Sequence, residues 1–455
     1  MKYRSTRGEV SGLGFVDALL TGLAPDGGLL IPETVPDVRD RLSSWRNLSF
    51  TALAKEVVAL YVDDIPRSRL DELIDSAYAS FDHEDVVGYV SLGEIHLLEL
   101  FHGPTLAFKD IALQLLGRLF EHALAERGQR LNILGATSGD TGSAAIAGVR
   151  GQPNIDIFIM YPDARVSRLQ ELQMTTIPDA NVHCVAVDGS FDDCQRLMKD
   201  TFADLELKQN LHLGAVNSVN WARVLAQVVY YGYASLKGDG PVSFCVPTGN
   251  FGNVFAGYLA RRMGFPIDRL LVATNDNDIL ARFFATGEYA RGAVHHTLSP
   301  AMDIQVASNF ERFLFYHFNE DSDRLCAFMR QFQETGAASV PSPPGQEVFA
   351  ATAVNAEETL ACMRRVHEAH GYVLDPHTAV GVAAAEHFRG QVAGPVVCIA
   401  TAHPAKFPEA VAQAVPGVPV THPALEALRE RPERKHHLPA ELPALKRYLV
   451  EMAGS

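Results

Sequence analysis

Leu131-Asn132-Ile133-Leu134-Gly135-Ala136-Thr137-Ser138-Gly139-Asp140-Thr141-Gly142 is the stretch that decides the fold class. A short apolar run, too brief for a helix, breaks into a turn carrying two glycines and several hydroxyls. Small residues follow (Ser143, Ala144, Ala145, Ala147, Gly148), as in a helix that packs closely against a neighbour. Strand, glycine turn, helix is the reading. It recurs at Val242–Pro247, where the chain enters Thr248-Gly249-Asn250-Phe251-Gly252-Asn253 and then the helical run Val254–Arg262. Further strands are expected at Ile95–Phe101, Ile155–Tyr161, Val182–Val187, Leu270–Thr274 and Val396–Thr401. Several are continuously apolar, as strands buried on both faces are. Their alternation with longer helix-period runs predicts an α/β protein with a mainly parallel sheet. Residues 1–92 read as mostly helical and irregular. Pro341–Gly345 reads as an exposed loop, either lid-like or an inert connection.

Each glycine turn opens a helix, where exposed N–H groups and the helix dipole favour an anion. Neither is G-x-G-x-x-G or G-x-x-x-x-G-K-[ST], so nucleotide readings lose their motif support. One such turn commonly serves only to reverse the chain; two are more specific.

A lysine adds to them. In His102-Gly103-Pro104-Thr105-Leu106-Ala107-Phe108-Lys109-Asp110 the Gly-Pro pair ends a strand, and a helix is expected from near Leu106. At 100° per residue, Lys109 stacks over Leu113, Leu116 and Phe120, while Asp110, Gln114, Arg118 and Glu121 fall opposite. An ammonium in an apolar arc is costly unless paired or neutral. Burial and a helix N-terminus both lower a lysine pKa, which suits an amine that forms a Schiff base. The competing reading is a lysine that snorkels to the surface. A buried amine and two anion turns together fit a phosphorylated aldehyde cofactor and an amino-acid partner, as with pyridoxal phosphate.

Composition bounds the rest. The chain has 455 residues, enough for two or three domains. A formal charge of −15 argues against nucleic acid or an anionic membrane as partner. The six cysteines (Cys184, Cys194, Cys245, Cys326, Cys362, Cys398) form no C-x-x-C pair and read as reduced residues. No signal peptide or spanning segment is read, so the expectation is a soluble cytoplasmic protein. His295-His296 lacks the spacing of a metal site, and no metal is expected. His403 reads as a hydrogen-bonded loop residue and Arg429–His437 as a charged, solvated segment.

The run His102–Gly117 resembles the cofactor-lysine segment of threonine synthases. Ala136–Ile146 is similar to that family's substrate-side loop, and Pro247–Asn253 to its cofactor-phosphate loop. Further matches are Tyr3–Gly8, Leu23–Pro32, Asn217–Arg223, Ala273–Asn275, Leu298–Arg312 and Thr401–Phe407, in the same order along nearly the whole chain. The resemblance is to the longer branch, which carries an N-terminal extension. It implies a fold-type II pyridoxal-phosphate enzyme with two open, mainly parallel sheets flanked by helices. The implied division is 1–92 as an N-terminal domain, 93–130 with 226–455 as a large cofactor domain, and 131–225 as a small substrate-side domain. Lys109 would hold the cofactor as a Schiff base, with Phe108 near the ring. Thr248, Gly249, Asn250, Phe251, Gly252 and Asn253 would hold its phosphate. Asp140 stands where relatives of other activity often have an asparagine facing the ring hydroxyl, and Thr401 would face the pyridine nitrogen. Ser138, Gly139, Thr141 and Gly142 would receive the substrate carboxylate.

The implied reaction converts O-phospho-L-homoserine and water to L-threonine and phosphate by γ-elimination and β-addition, in a monomer or homodimer. Arg165, Ser167, Asn220 and Arg223 are the candidate donors to the leaving phosphate, although arginines after strands are more often solvated. Asp163-Ala164 departs from the family, where the middle position is usually glycine and the residue before it is not acidic. An acid there would weaken a phosphate site. The alternatives are a related lyase acting on another phosphorylated or phosphonate amino acid, and a catalytically dead relative that binds or regulates. A nicotinamide-dependent dehydrogenase lacks its fingerprint.

Overall fold

The computed structural model describes residues 1–216 and 218–453. In chain order its strands are β1 (Tyr3–Ser5), β2 (Leu30–Pro32), β3 (Gly88–Leu92), β4 (Ile95–Glu99), β5 (Leu131–Ala136), β6 (Ile155–Pro162), β7 (Val182–Asp188) and β8 (Leu213–Gly214). They continue with β9 (Val242–Pro247), β10 (Ile267–Thr274), β11 (Glu288–Ala290), β12 (Ala337–Ser339), β13 (Phe349–Ala353), β14 (Val396–Ala400) and β15 (His436–Pro439). The chain divides into two compact units, residues 1–103 with 218–420 and residues 104–217 with 421–455. This differs from the sequence-derived division. Helix Lys109–Arg127 belongs to the second unit, and so does the C-terminal tail, whose strand β15 pairs in parallel with β7.

In the first unit the sheet order is β13-β10-β9-β14-β4-β3, parallel except for the β3–β4 hairpin. β9 and β14 are buried along their whole lengths, which is why they read as unbroken apolar runs. A core of Leu97, Cys245, Leu271, Val380 and Cys398 packs within this unit. Within residues 1–92 the sequence reading missed β3 and also β1 and β2, which pair antiparallel with Tyr3 opposite Pro32. At three residues each, β1 and β2 are too short to show a period.

The second unit has the order β15-β7-β6-β5-β8, with every pair parallel. β6 is buried at all eight positions. Its core includes Leu134, Phe158, Val185 and Leu445, with Cys194 among them as a small apolar filler. Helices Lys109–Arg127 and Asp140–Val149 meet backbone to backbone. A Cβ on Gly117 would lie 1.9 Å from Gly148 O, and one on Gly148 2.4 Å from Leu113 O. Only glycine permits that approach, so these two residues fix how the helix bearing Lys109 lies against the helix that opens at Asp140.

All six cysteines are free thiols. Among the described residues, no helix is long and apolar enough to cross a membrane. Pro341–Gly345 is only partly exposed: Pro344 is buried, and a Cβ on Gly345 would meet the Phe349 ring at 2.9 Å.

Candidate active site

The candidate residues fall on both units, and each set is built from its own elements. In the second unit, Lys109 is the first residue of its helix, three later than expected. The segment before it is not helical because Leu106 takes a left-handed backbone, φ 60°, rare for a non-glycine residue. Asp110 holds the segment in place: its carboxylate accepts from Thr105 N–H (2.8 Å) and from Thr105 Oγ1 (2.7 Å). Gln173 Nε2 donates to Thr105 O (3.0 Å). Asp110 and Gln114 are therefore buried, not on the solvated face that the helical wheel assigned them. Lys109 keeps 11% of its side chain accessible; its Nζ lies 4.0 Å from Asp140 Oδ2 and 5.0 Å from the Phe108 ring centroid. The snorkelling alternative is thus not what forms: the amine faces a carboxylate that is itself nearly buried.

The turn at Thr137–Gly142 is organised by a residue that sequence reasoning passed over. Thr137 Oγ1 accepts from Gly139 N–H (3.0 Å) and from Gly142 N–H (2.9 Å), an ST-type turn. Two N–H groups expected to meet a carboxylate are therefore already engaged, while Ser138 is exposed and Thr141 is half-buried. Gly139 has φ 144°, and a Cβ there would lie 2.4 Å from the Gln170 side chain. Gln170, also missed, donates from Nε2 to Asp140 Oδ1 (3.0 Å) and accepts at Oε1 from Ser167 Oγ (3.1 Å). Ser167, Gln170, Asp140 and Lys109 thus form one polar series. Ser167 also caps helix Arg168–Thr175, whereas Arg165 is exposed.

The Asp163 departure has a local explanation. Its carboxylate lies 3.4 Å from His437 Nδ1 and 4.0 Å from Lys435 Nζ, so the acid is met by the C-terminal tail. Arg429–His437 is accordingly not a wholly solvated segment. Lys435 pairs with Glu171 (2.6 Å), Glu433 with Arg168, and Arg434 N–H bonds Thr175 O (2.7 Å).

In the first unit, Phe251 ends the turn Thr248–Phe251 in the left-handed region, φ 62°, and caps helix Gly252–Met263. A phenylalanine holds this strained backbone because its ring is fully buried among Phe284, Phe310, Phe313 and Phe349. The first N–H groups of the helix behind it have no intrahelical partners. Asn253 is buried with Oδ1 taken by Tyr230 (2.6 Å) and Tyr231 (2.7 Å), and its Nδ2 is left without a partner. A Cβ on Gly249 would come within 3.1 Å of Met302 Cα. Thr401, one residue past β14, donates its N–H to Thr378 Oγ1 (3.2 Å), and its own buried Oγ1 has no partner.

The two remaining candidates in this unit part company. Asn220 caps helix Trp221–Ser235 through Ala222 N–H (3.0 Å) and donates to Leu19 O (2.9 Å), so its carboxamide has structural work. Arg223 is buried in that helix's first turn with Nε and Nη1 unpartnered. Burial pushes its pKa down to about 10, which leaves it cationic at neutral pH. A buried guanidinium with free N–H groups is costly without an anion. Asn217, from the same stretch of sequence, lies outside the described residues. His403 caps the short helix Pro404–Lys406 by accepting Ala405 N–H at Nδ1 (3.2 Å), the loop role read from sequence.

Comparison with known proteins bears on these arrangements. The family described as pyridoxal-phosphate dependent enzyme matches residues 91–336. Those described as threonine synthase N terminus and threonine synthase, C-terminal, match residues 2–78 and 378–449. A threonine synthase of Pseudomonas aeruginosa is 47% identical over 99% of this chain and 98% of its own length. That of Schizosaccharomyces pombe is 44% identical over 90% and 88%. A crystal structure of PLP-bound threonine synthase from Brucella melitensis superposes with a TM-score of 0.97, at 45% identity, over the full length of both chains.

Proposed function

The chain belongs to the threonine synthase family of pyridoxal-phosphate-dependent enzymes, and from that premise we propose the reaction and the residues that carry it. The reaction is conversion of O-phospho-L-homoserine and water to L-threonine and phosphate. The observation that carries the assignment is Lys109, a nearly buried amine at the start of a buried helix, facing Asp140 at 4.0 Å.

The residues present fit the cofactor. Thr401 offers an orphaned buried hydroxyl, and the turn Thr248–Asn253 leads into a helix N-terminus with an unused amide at Asn253. In this reading Lys109 would bind the cofactor, Thr248–Asn253 would hold its phosphate, Thr401 would meet the ring nitrogen and Phe108 would lie near the ring. When bound, pyridoxal phosphate supplies an electron sink for negative charge at Cα and then Cβ of the substrate. Lys109 Nζ would move the protons at both carbons. Asp140, fixed by Gln170, faces that amine and orients it. Ser138 and Thr141 receive the substrate carboxylate, with Gly139 and Gly142 shaping the turn. Phosphate then leaves from Cγ and water adds at Cβ. Arg223 is the favoured cation for the leaving phosphate, because its burial without a partner asks for an anion. Arg165, Ser167 and Asn220 are weaker candidates on exposure or prior commitments. A cytoplasmic location is the companion reading.

The test measures phosphate release and threonine formation together. Wild type should yield them in equal amounts, and Lys109→Ala should lose at least about 10³-fold in turnover. Phosphate accompanied by a 2-oxo acid and no threonine would reject this reaction in favour of another lyase.

A further inference from the structure

The N-terminal stretch Tyr3–Gly8 and the stretch Leu298–Arg312 have no part in the chemistry above, yet they converge in the first unit. Arg312 is fully buried and, among the described residues, meets no carboxylate at hydrogen-bond distance. Its guanidinium spends its donors on carbonyls instead: Nε and Nη2 donate to Leu30 O (3.2 and 2.9 Å), Nη2 also to Val219 O, and Nη1 to Asn309 Oδ1. The neighbouring Glu311 grips the same N-terminal segment, accepting from Thr6 Oγ1 (2.7 Å) and from Arg7 Nε and Nη2 (3.2 and 3.0 Å). Two adjacent residues of opposite charge thus hold β1 and β2.

Asn309 carries the connection onward. Its N–H donates to Asn250 O (3.0 Å), and its Nδ2 donates to Ser218 O (3.0 Å). Ser308 Oγ donates to Asn250 Oδ1 (3.2 Å) and meets Ser218 Oγ at 2.7 Å. A Cβ on Gly252 would lie 3.1 Å from Asn309 Nδ2. The turn Thr248–Phe251 is therefore buttressed by the Asn309 backbone, and the side chain of that residue is held by Arg312.

We infer that Arg312 is a positioning residue. Through Asn309 it transmits the docking of residues 3–32 to the Asn250 turn, so that phosphate capture there depends on an N-terminal segment that need not touch the cofactor. The inference rests on the reading of Thr248–Asn253 as the cofactor-phosphate loop. The chemistry favours arginine specifically: its donors are spread over three nitrogens of one plane and reach acceptors on separate segments, whereas a lysine's three donors share a single nitrogen.

The experiment uses the full-length chain, freed of cofactor by dialysis against an amine. It is titrated with pyridoxal phosphate and, separately, with pyridoxal, which has the aldehyde and lacks the phosphate. The readout is the ratio of the two affinities. Arg312→Lys and Arg312→Met should weaken pyridoxal phosphate about tenfold or more while changing pyridoxal about twofold or less, collapsing the ratio. Leu70→Ala, at a fully buried position on the half-exposed helix Arg67–Tyr78 of the same unit, should lower the melting temperature and leave the ratio alone. Should the Arg312 variants fail to fold, Glu311→Gln and Thr6→Val test the same route one step earlier, with an expected fall in ratio of about threefold. A folded Arg312 variant with an unchanged ratio overturns the inference, as does no fall in the Glu311 and Thr6 variants. If instead wild type shows no preference for pyridoxal phosphate, or Asn250→Ala leaves the ratio intact, the phosphate-loop reading itself fails, and the inference with it.

Discussion

The two glycine turns look alike in sequence and are held by opposite means. Thr137–Gly142 is closed from within: the Thr137 hydroxyl takes two of its N–H groups, and Gln170, 31 residues beyond Gly139 in the chain, presses on the glycine. Thr248–Phe251 is held from outside, by the Phe251 ring in an aromatic cluster and by Asn309 on its backbone. A turn closed by its own hydroxyl leans on the rest of the fold chiefly through Gln170, and it spends donors that could bind a ligand. One braced externally keeps its helix-terminal N–H groups for an anion, at the cost of depending on remote segments.

The largest effect expected from this contrast is at Phe251. Phe251→Ala removes a fully buried ring and leaves the left-handed backbone, so it should cost about 3–5 kcal/mol in urea denaturation and weaken pyridoxal phosphate. A loss under about 1 kcal/mol would show that the aromatic anchor does not hold the turn. Next is Thr137→Val, which keeps the shape and deletes the hydroxyl. Gly142 N–H retains a bond to Gly139 O (3.1 Å), so chiefly the Gly139 N–H is stranded. The expected cost is about 1–3 kcal/mol, with cofactor affinity unchanged and turnover reduced. Lost cofactor affinity would erase the distinction between the turns.

The smallest effect concerns the C-terminal tail, which steadies helix Arg168–Thr175 and so the Gln170 that presses Gly139. Burial alone would raise the Glu171 pKa, but bonds from Lys435 and Arg168 bring it below its ordinary 4.5. A carboxyl lowered in the folded state adds stability above its unfolded pKa and loses it as pH falls through the folded value. The protection factor of the Arg434 amide, exchange corrected for its intrinsic pH dependence, should therefore fall as the pH drops below about 4.5. In Lys435→Met the fall should begin at higher pH, because burial then acts with less opposition. The associated stability change is about 1 kcal/mol or less. An exchange profile unmoved by Lys435→Met would mean that the tail is held by other contacts.

What the sequence displayed and what it concealed follow from range. Strands buried on both faces, such as β6 and β9, announce themselves as apolar runs, and the glycine turns are local chemistry. β13, Phe-Ala-Ala-Thr-Ala, has the low β propensity of alanine and forms because β10 pairs with it in parallel. β15 reads in sequence as part of a solvated segment because its partner, β7, lies some 250 residues earlier in the chain. The helical wheel put Lys109 on the right face but could not see Asp110 folding back on Thr105. Thr137 was findable as a hydroxyl opening a turn. Gln170 and Arg312 act across distances that no local pattern encodes.

The most direct test of the account is reduction of the purified enzyme with borohydride, followed by digestion and peptide mass mapping. The cofactor's pyridoxyl mass should appear on the peptide that contains Lys109, with fragmentation placing it at that residue, and should be lost in Lys109→Ala. Label on another lysine, or none on protein that turns over substrate, would contradict it.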